Sequence, residues 1–241
     1  MKPQSSNRDR DLDFLGIECA WPNQAVLGSS RLRPRPRPRR WRQVAVILAV
    51  VLAGAGAWQL GQAGYIHAKA WLAQALIRDA WSRTLAGEQH VRPWAWADTW
   101  PVARLRAPAH GVDFHVLAGA DGRSIAFAPG HVFGTVAPGE AGNSVIGAHR
   151  DTHFAFLRKI DDGDLLEVQT PAGRLVRYRV TERSVVDRHD TAVMAHDAFA
   201  AELTLVTCYP FDALRAGGPL RFVVRARAES DGDRGAAQVA I

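Results

Sequence analysis

The chain has 241 residues, 47% apolar and 22% charged, an ordinary globular composition that excludes disorder over most of its length. The formal net charge is +6, but seven arginines lie between Arg31 and Arg42, so the remainder is close to neutral and argues against a nucleic-acid-binding domain. Only two cysteines are present, Cys19 and Cys208, which excludes a disulfide framework.

Residues 1–42 are polar and then rich in proline and arginine, ending Arg33-Pro34-Arg35-Pro36-Arg37-Pro38-Arg39-Arg40-Trp41-Arg42. Alternating Pro and Arg cannot build a packed helix or sheet, so an extended, solvated tail is expected. From Val44 to Ile66 no charged residue occurs, and about 20 apolar residues are enough to cross a bilayer. Gln59, Gln62 and several glycines dilute the second half of this run, which raises the alternative of a cleaved signal peptide. The arginine cluster lies too far from the N-terminus for that, so residues 43–66 are expected to be an uncleaved anchor. The arginines before the span, against Lys69 just after it, predict a cytoplasmic N-terminus and an external bulk. Cys19 follows Leu15-Gly16-Ile17-Glu18, a faint lipoprotein-like box with no apolar segment before it, and is expected to be an ordinary thiol in the tail.

Residues 67–101 are expected to form a helical linker. Trp71, Leu72, Ala75, Leu76, Ala80 and Leu85 keep roughly helical spacing, with charged residues between them. Three tryptophans then fall within Pro93–Pro101. They serve either an exposed aromatic interface or the pinning of the linker onto the domain beyond.

From Val102 onward the pattern changes to short apolar or alternating runs separated by turn residues. Strands are predicted at Val102–Arg106, Val112–Leu117, Ser124–Ala128, Ser144–Ala148, Leu165–Gln169, Leu175–Thr181, Leu203–Thr207 and Arg221–Ala226. Many short strands with regular turn signals indicate an all-β sandwich or barrel. Arg183–Ala201 breaks this rhythm and is expected to carry a helix or structured loop. Asp161, Asp162 and Asp164 lack calcium-loop spacing and read as a solvated turn.

Three segments carry the chemistry. In Leu203-Thr204-Leu205-Val206-Thr207-Cys208-Tyr209-Pro210 an apolar strand runs into a cysteine and is stopped by a proline, which cannot donate a ladder bond. On residues alone, an inert buried thiol fits this context better than a reactive one. An ordinary thiol is mostly protonated at neutral pH, so a nucleophilic cysteine needs a base or a neighbouring cation. Asn143–Phe154 supplies the second segment, an apolar strand ending at Ala148-His149-Arg150. If the two strands end at one rim, His149 meets Cys208. Arg221 opens the third segment. If Leu203–Thr207 and Arg221–Ala226 pair antiparallel, the loop containing Gly217-Gly218-Pro219 returns Arg221 beside Cys208, where a guanidinium can hold an oxyanion. Arg215, inside that loop, competes for the role. His149 and His153 with Cys208 would make a three-ligand zinc set, but neither C-x-x-C nor H-E-x-x-H accompanies them, so no metal and no cofactor is expected.

The order of His149 in G-A-H-R-D-T-H-F, Cys208 in T-L-V-T-C-Y-P and Arg221 in L-R-F-V-V resembles the sortase family. P-W-A-W-A-D-T-W-P and T-C-Y-P-F-D-A-L-R-A-G-G-P-L-R-F are similar to the Gram-negative subgroup called class GN. One departure is Ala148 directly before the histidine, where many sortases have glycine. The resemblance implies an all-β fold, a closed β-barrel with short helices over residues 102–228, preceded by a transmembrane helix. A flexible tail at residues 229–241 completes the expected layout. It implies a membrane-anchored cysteine transpeptidase acting on an LPxTG-like C-terminal signal of a secreted protein. Cys208 would be the nucleophile, His149 the acid and base, and Arg221 the oxyanion partner, with Thr207 and Ala148 contacting substrate. The implied partners are that secreted protein, an amine acceptor and the lipid bilayer, with no nucleic acid. The implied location is a bacterial inner membrane with the catalytic domain in the periplasm. A hydrolytic cysteine peptidase and a non-catalytic, membrane-tethered peptide-binding β-domain are the alternatives.

Overall fold

A computed structural model of the chain describes residues 39–122, 124–195, 200–213 and 217–229. Cys19, most of the Arg/Pro-rich tail, Arg215 and residues 230–241 lie outside the described residues. The chain divides into two compact units within its long helix, at Ala55/Gly56.

That helix, α1 (Arg39–Leu85), continues unbroken from the apolar run into the linker. Residues 40–72 are all exposed, and one 18-residue window has mean hydropathy 2.0, so the helix is long and apolar enough to cross a membrane. From Ala73 the pattern is different. Ala73, Ile77, Ala80, Trp81 and Thr84 recur at three- and four-residue steps, share one face, and are buried. Ile77 packs with Leu117, Ala128 and Trp94, Trp81 meets the His115 ring edge-on at 6.0 Å, and Gln74 Nε2 donates to the Phe127 carbonyl at 2.6 Å. Each fully buried side chain of the size of Ile77 contributes roughly 1.5–3 kcal/mol. Gly87, at φ 102°, then takes the left-handed turn that ends the helix.

Eight strands among the described residues close into a barrel. They are β1 (Pro101–Ala107), β2 (Val112–Ala118), β3 (Gly130–His131), β4 (Gly142–Gly147), β5 (Leu165–Gln169), β6 (Leu175–Asp187), β7 (Ala201–Tyr209) and β8 (Leu220–Ala228). Their order around the barrel is β1-β2-β3-β4-β7-β8-β6-β5. The β2–β3 and β4–β7 pairs are parallel; the others are antiparallel. Alternate residues fill the interior. Leu105 on β1, Ile146 on β4, Leu166 on β5, Tyr178 on β6, Leu203 and Leu205 on β7, and Val224 and Ala226 on β8 form one buried cluster.

The closed barrel with short helical turns is the expected architecture, with two local departures. Ser124–Ala128 is not a strand. The Asp121 carboxylate accepts from the Ser124 backbone N–H at 2.8 Å, and the following N–H groups fold back onto Asp121 and Ser124 carbonyls, closing a 3-10 turn. Asp competes in this way with a sheet ladder for backbone donors. The strand of this region is the two-residue β3, after Pro129. In Arg183–Ala201, β6 continues to Asp187, and a 3-10 turn at Thr191–Met194 follows, capped by Asp190. Of the three linker tryptophans, Trp94 packs on Phe127 and Trp100 on His90, whereas Trp96 stays exposed. Pinning onto the barrel accounts for Trp94, whereas the Trp100 ring packs within the linker.

Candidate active site

The parallel pairing of β4 with β7 sets the site. In register, Ser144 faces Leu203, Ile146 faces Leu205 and Gly147 faces Val206. Beyond the last ladder pair two bonds continue the match, from Ala148 N–H to the Val206 carbonyl at 3.2 Å and from Thr207 Oγ1 to the Ala148 carbonyl at 2.7 Å. Two parallel strands end at one rim by necessity, so the residues that follow, His149 and Cys208, emerge side by side.

Side-chain alternation decides which way they point. Leu203, Leu205 and Ala148 belong to the core, so Val206, Cys208 and His149 fall on the outer face. His149 is exposed and Cys208 half-buried. On the other side of β7, the antiparallel β8 sets Arg221 directly opposite Cys208. Residues directly opposite in a ladder share a face, and Arg221 is flanked on its far side by Val186 of β6. A thiol, an imidazole and a guanidinium thus stand on three adjacent strands, at one rim and on one face.

The loop from β7 to β8 starts at Pro210, and its described ends, 210–213 and 217–219, are tied down by arginines. Arg221 Nη1 donates to the carbonyls of Gly218 at 2.8 Å and Leu220 at 2.9 Å. Gly217 adopts φ 82°, a left-handed conformation that favours glycine, and a Cβ on Gly218 would sit 3.3 Å from the Tyr209 carbonyl. From the histidine side, Arg150 donates through Nη1 to the Pro210 carbonyl and through Nη2 to the Ala213 carbonyl, each at 2.7 Å. Tyr209, Phe211 and Phe222 cluster beneath, with Phe211 and Phe222 rings 5.3 Å apart.

Thr207 and Ala148, expected to contact substrate, are 2% and 7% exposed. The Thr207 hydroxyl is committed to the Ala148 carbonyl and braces the two strands. His153 stands near His149 with its ring edge-on to Phe114 at 5.3 Å. Burial pushes its pKa below the usual histidine range, and the charge of His149 acts in the same direction against the opposing Phe127 carbonyl. The acidic turn is taken up locally. Asp161 and Asp162 pair with Arg183, and Asp164 pairs with His110 at 2.8 Å.

Two residues escaped the sequence reading. Arg150 is one, and because its partners are backbone carbonyls the sequence carries no signal for it. Asn143 is the other. It is fully buried, donates to the Val193 and Ala195 carbonyls, accepts from Thr204 Oγ1, and thereby fastens the β6–β7 loop to the β4–β7 pair.

A closed barrel with a cysteine and a histidine delivered by parallel neighbours, and an arginine delivered by the next strand, defines a class of thiol-bearing barrels. The sortase-domain family model matches residues 105–229, slightly more than half of the chain. Sortase D of Bacillus subtilis (strain 168) is 28% identical over 120 residues, covering 50% of this chain and 60% of that protein. Among solved structures, sortase A from Corynebacterium diphtheriae is 26% identical with a TM-score of 0.51, covering 61% of this chain and 68% of its own. A Clostridium perfringens sortase D5 transpeptidase, 23% identical with a TM-score of 0.50, covers 64% and 89% and bears on the fold alone. The chain belongs to the sortase family. It spans about 60% of the length of the curated relative it matches.

Proposed function

We propose that the chain is a membrane-anchored cysteine transpeptidase that cuts an LPxTG-like signal near the C-terminus of a secreted protein and joins the new end to an amine. The observation that carries this reading is the common rim and face of Cys208, His149 and Arg221, together with membership of the sortase family. Residues 43–66 serve as the anchor and 67–101 as the linker, which is helical only as far as Leu85. The N-terminus lies in the cytoplasm and the barrel in the periplasm of a bacterial inner membrane.

In this reading the Cys208 thiolate, its proton held by His149, attacks the scissile carbonyl carbon. The carbonyl oxygen becomes an oxyanion facing the Arg221 guanidinium, a charge-assisted contact that strengthens as charge develops. The C–N bond then breaks, His149 gives a proton to the departing amine, and a thioester remains on Cys208. In the second half an incoming amine attacks the thioester, His149 takes its proton, and the thiolate leaves. Thr207 and Ala148 form the floor under the scissile residue. Their buried brace keeps His149 and Cys208 at a fixed spacing, which orientation-dependent catalysis requires.

Product analysis tests this. The full chain in detergent micelles is incubated with an LPxTG-type peptide, with and without added triglycine, and the products are read by mass spectrometry. The expected result is a peptide cut in the motif, with an amide-linked triglycine product when the amine is present. Cleavage to the free acid alone in both conditions would reassign the chain as a hydrolytic peptidase. Absence of cleavage, with Cys208 unreactive to alkylation, would favour a peptide-binding β-domain.

A further inference from the structure

Arg150 is 7% exposed, and it is the residue directly after His149. A guanidinium this deeply placed must find partners for its fixed donors, because an unmet buried charge is costly. Two of its nitrogens reach different residues of one loop, Nη1 the Pro210 carbonyl and Nη2 the Ala213 carbonyl. Only a planar fork with separated donors spans two carbonyls in this way; a lysine ammonium is a point charge on a flexible stem.

The two carbonyls are not in arbitrary places. Pro210 lies two residues after Cys208, at the point where the chain leaves β7, and Ala213 lies further along the loop that returns at Arg221. Arg221 grips the far end of the same loop through the Gly218 and Leu220 carbonyls. The loop is therefore held from both sides of the thiol. The β4 side holds it through Arg150, and the β8 side holds it through the proposed oxyanion arginine itself. On the β4 side the turn that carries His149 and Arg150 is closed by the Phe154 N–H on the His149 carbonyl at 3.0 Å. Any movement of that turn moves histidine and loop together.

We infer that Arg150 is a positioning residue. By bridging the histidine turn to the loop after Cys208, it fixes the separation of His149 from Cys208, which the β4–β7 pairing sets only as far as its last ladder bonds. This rests on the sortase-type reading for its kinetic consequence but not for its structural one. Misplacing a reacting group by about 1 Å can cost roughly 100-fold in rate, so removing the bridge acts on turnover more than on peptide binding.

The test uses the full chain with Cys19→Ser, leaving one thiol, and compares Arg150→Met and Arg150→Lys with the parent. Three quantities are read: hydrogen exchange of the Phe211–Ala213 and Gly217–Leu220 amides, the pH profile of Cys208 alkylation by iodoacetamide, and kcat and KM on an LPxTG-type peptide. Arg150→Met is expected to speed exchange in the loop, to shift the alkylation profile, and to lower kcat by about 10- to 100-fold with KM changed by less than about threefold. Arg150→Lys, keeping one donor at a time, is expected to fall between the two. If Arg150→Met does not fold, Arg150→Lys carries the test on the same three quantities. Parental loop exchange together with a parental alkylation profile in a folded variant would overturn the inference. If the parent does not cut the peptide, the functional reading fails, while exchange and alkylation still decide the role of Arg150.

Discussion

Arginines serve two regions of this barrel in opposite ways. On the outer wall they face carboxylates of neighbouring strands. Arg104 forks onto Asp113 at 2.7 and 2.5 Å, Arg106 and Arg177 share Glu167, Arg179 meets Glu229, and Arg227 meets Glu202. At the rim where β4 and β7 end, Arg150 and Arg221 instead donate to loop carbonyls. A carboxylate partner neutralises the guanidinium and ties one strand to the next. A carbonyl partner fixes the course of the backbone instead. The wall arrangement holds a sheet together, and the rim arrangement ties down the chain that follows Cys208.

Substitutions at the rim and on the wall should therefore separate by orders of magnitude. The largest loss is expected at the thiol and its proton partner. Cys208→Ala and His149→Gln should each lower peptide turnover by more than about 1,000-fold, measured by a fluorogenic assay, with thermal unfolding little changed. Turnover of Cys208→Ala near the parental rate would break the assignment of the rim as the reactive region. Next comes Arg221→Gln, which removes one oxyanion partner and should cost about 100- to 1,000-fold in kcat. A loss confined to KM would show that Arg221 binds substrate rather than the developing charge.

A third prediction concerns pH and stability. Burial holds His115 down to about 4, and the nearby Arg104 charge pushes it the same way. Burial also lowers His131 and His153. The unfolded chain binds these protons near pH 6.5. Since the folded barrel refuses the His115 proton until about pH 4, acid favours unfolding across the interval from about 6.5 to 4. The melting temperature should fall through that window and level off, for this group, below it. His115→Gln should flatten the slope, and an unchanged slope would remove His115 from the account. The smallest effect belongs to the wall. Arg104→Ala, losing a surface pair whose side chains are 37% and 43% exposed, should cost about 1 kcal/mol or less by chemical denaturation. Peptide turnover in this variant should be unchanged, and a turnover loss comparable to that at Arg221 would erase the contrast between wall and rim.

Sequence reading went furthest where side-chain period and chain breakers agree. The β7 strand was legible because Leu203 and Leu205 alternate with polar or half-buried neighbours and Pro210 must end the ladder. The pairing of Cys208 with Arg221 could be posed as a condition, that the two strands pair antiparallel, and the register meets it. The encounter of His149 with Cys208 could only be conjectured, since a parallel pairing between distant strands leaves no local trace. Ser124–Ala128 misled because its apolar spacing suits a strand while the preceding Asp121 captures the backbone donors first. Arg150 stayed hidden for a related reason. Its partners are backbone carbonyls, and a carbonyl occurs at every residue, so no residue type at any spacing announces the contact.

The β4–β7 pairing also has a bearing on when the site comes into being. Cys208 and Arg221 are brought together by a hairpin, a local event in folding. His149 joins only when β4 closes on β7, and the Thr207–Ala148 bond that marks this closure links residues 59 positions apart. The entropy of closing so long a loop must be met before the contact repays it, so such pairings tend to form late. By this measure the thiol is expected to meet Arg221 before it meets His149. A partly folded chain carries Cys208 without the proton partner that the proposed chemistry needs.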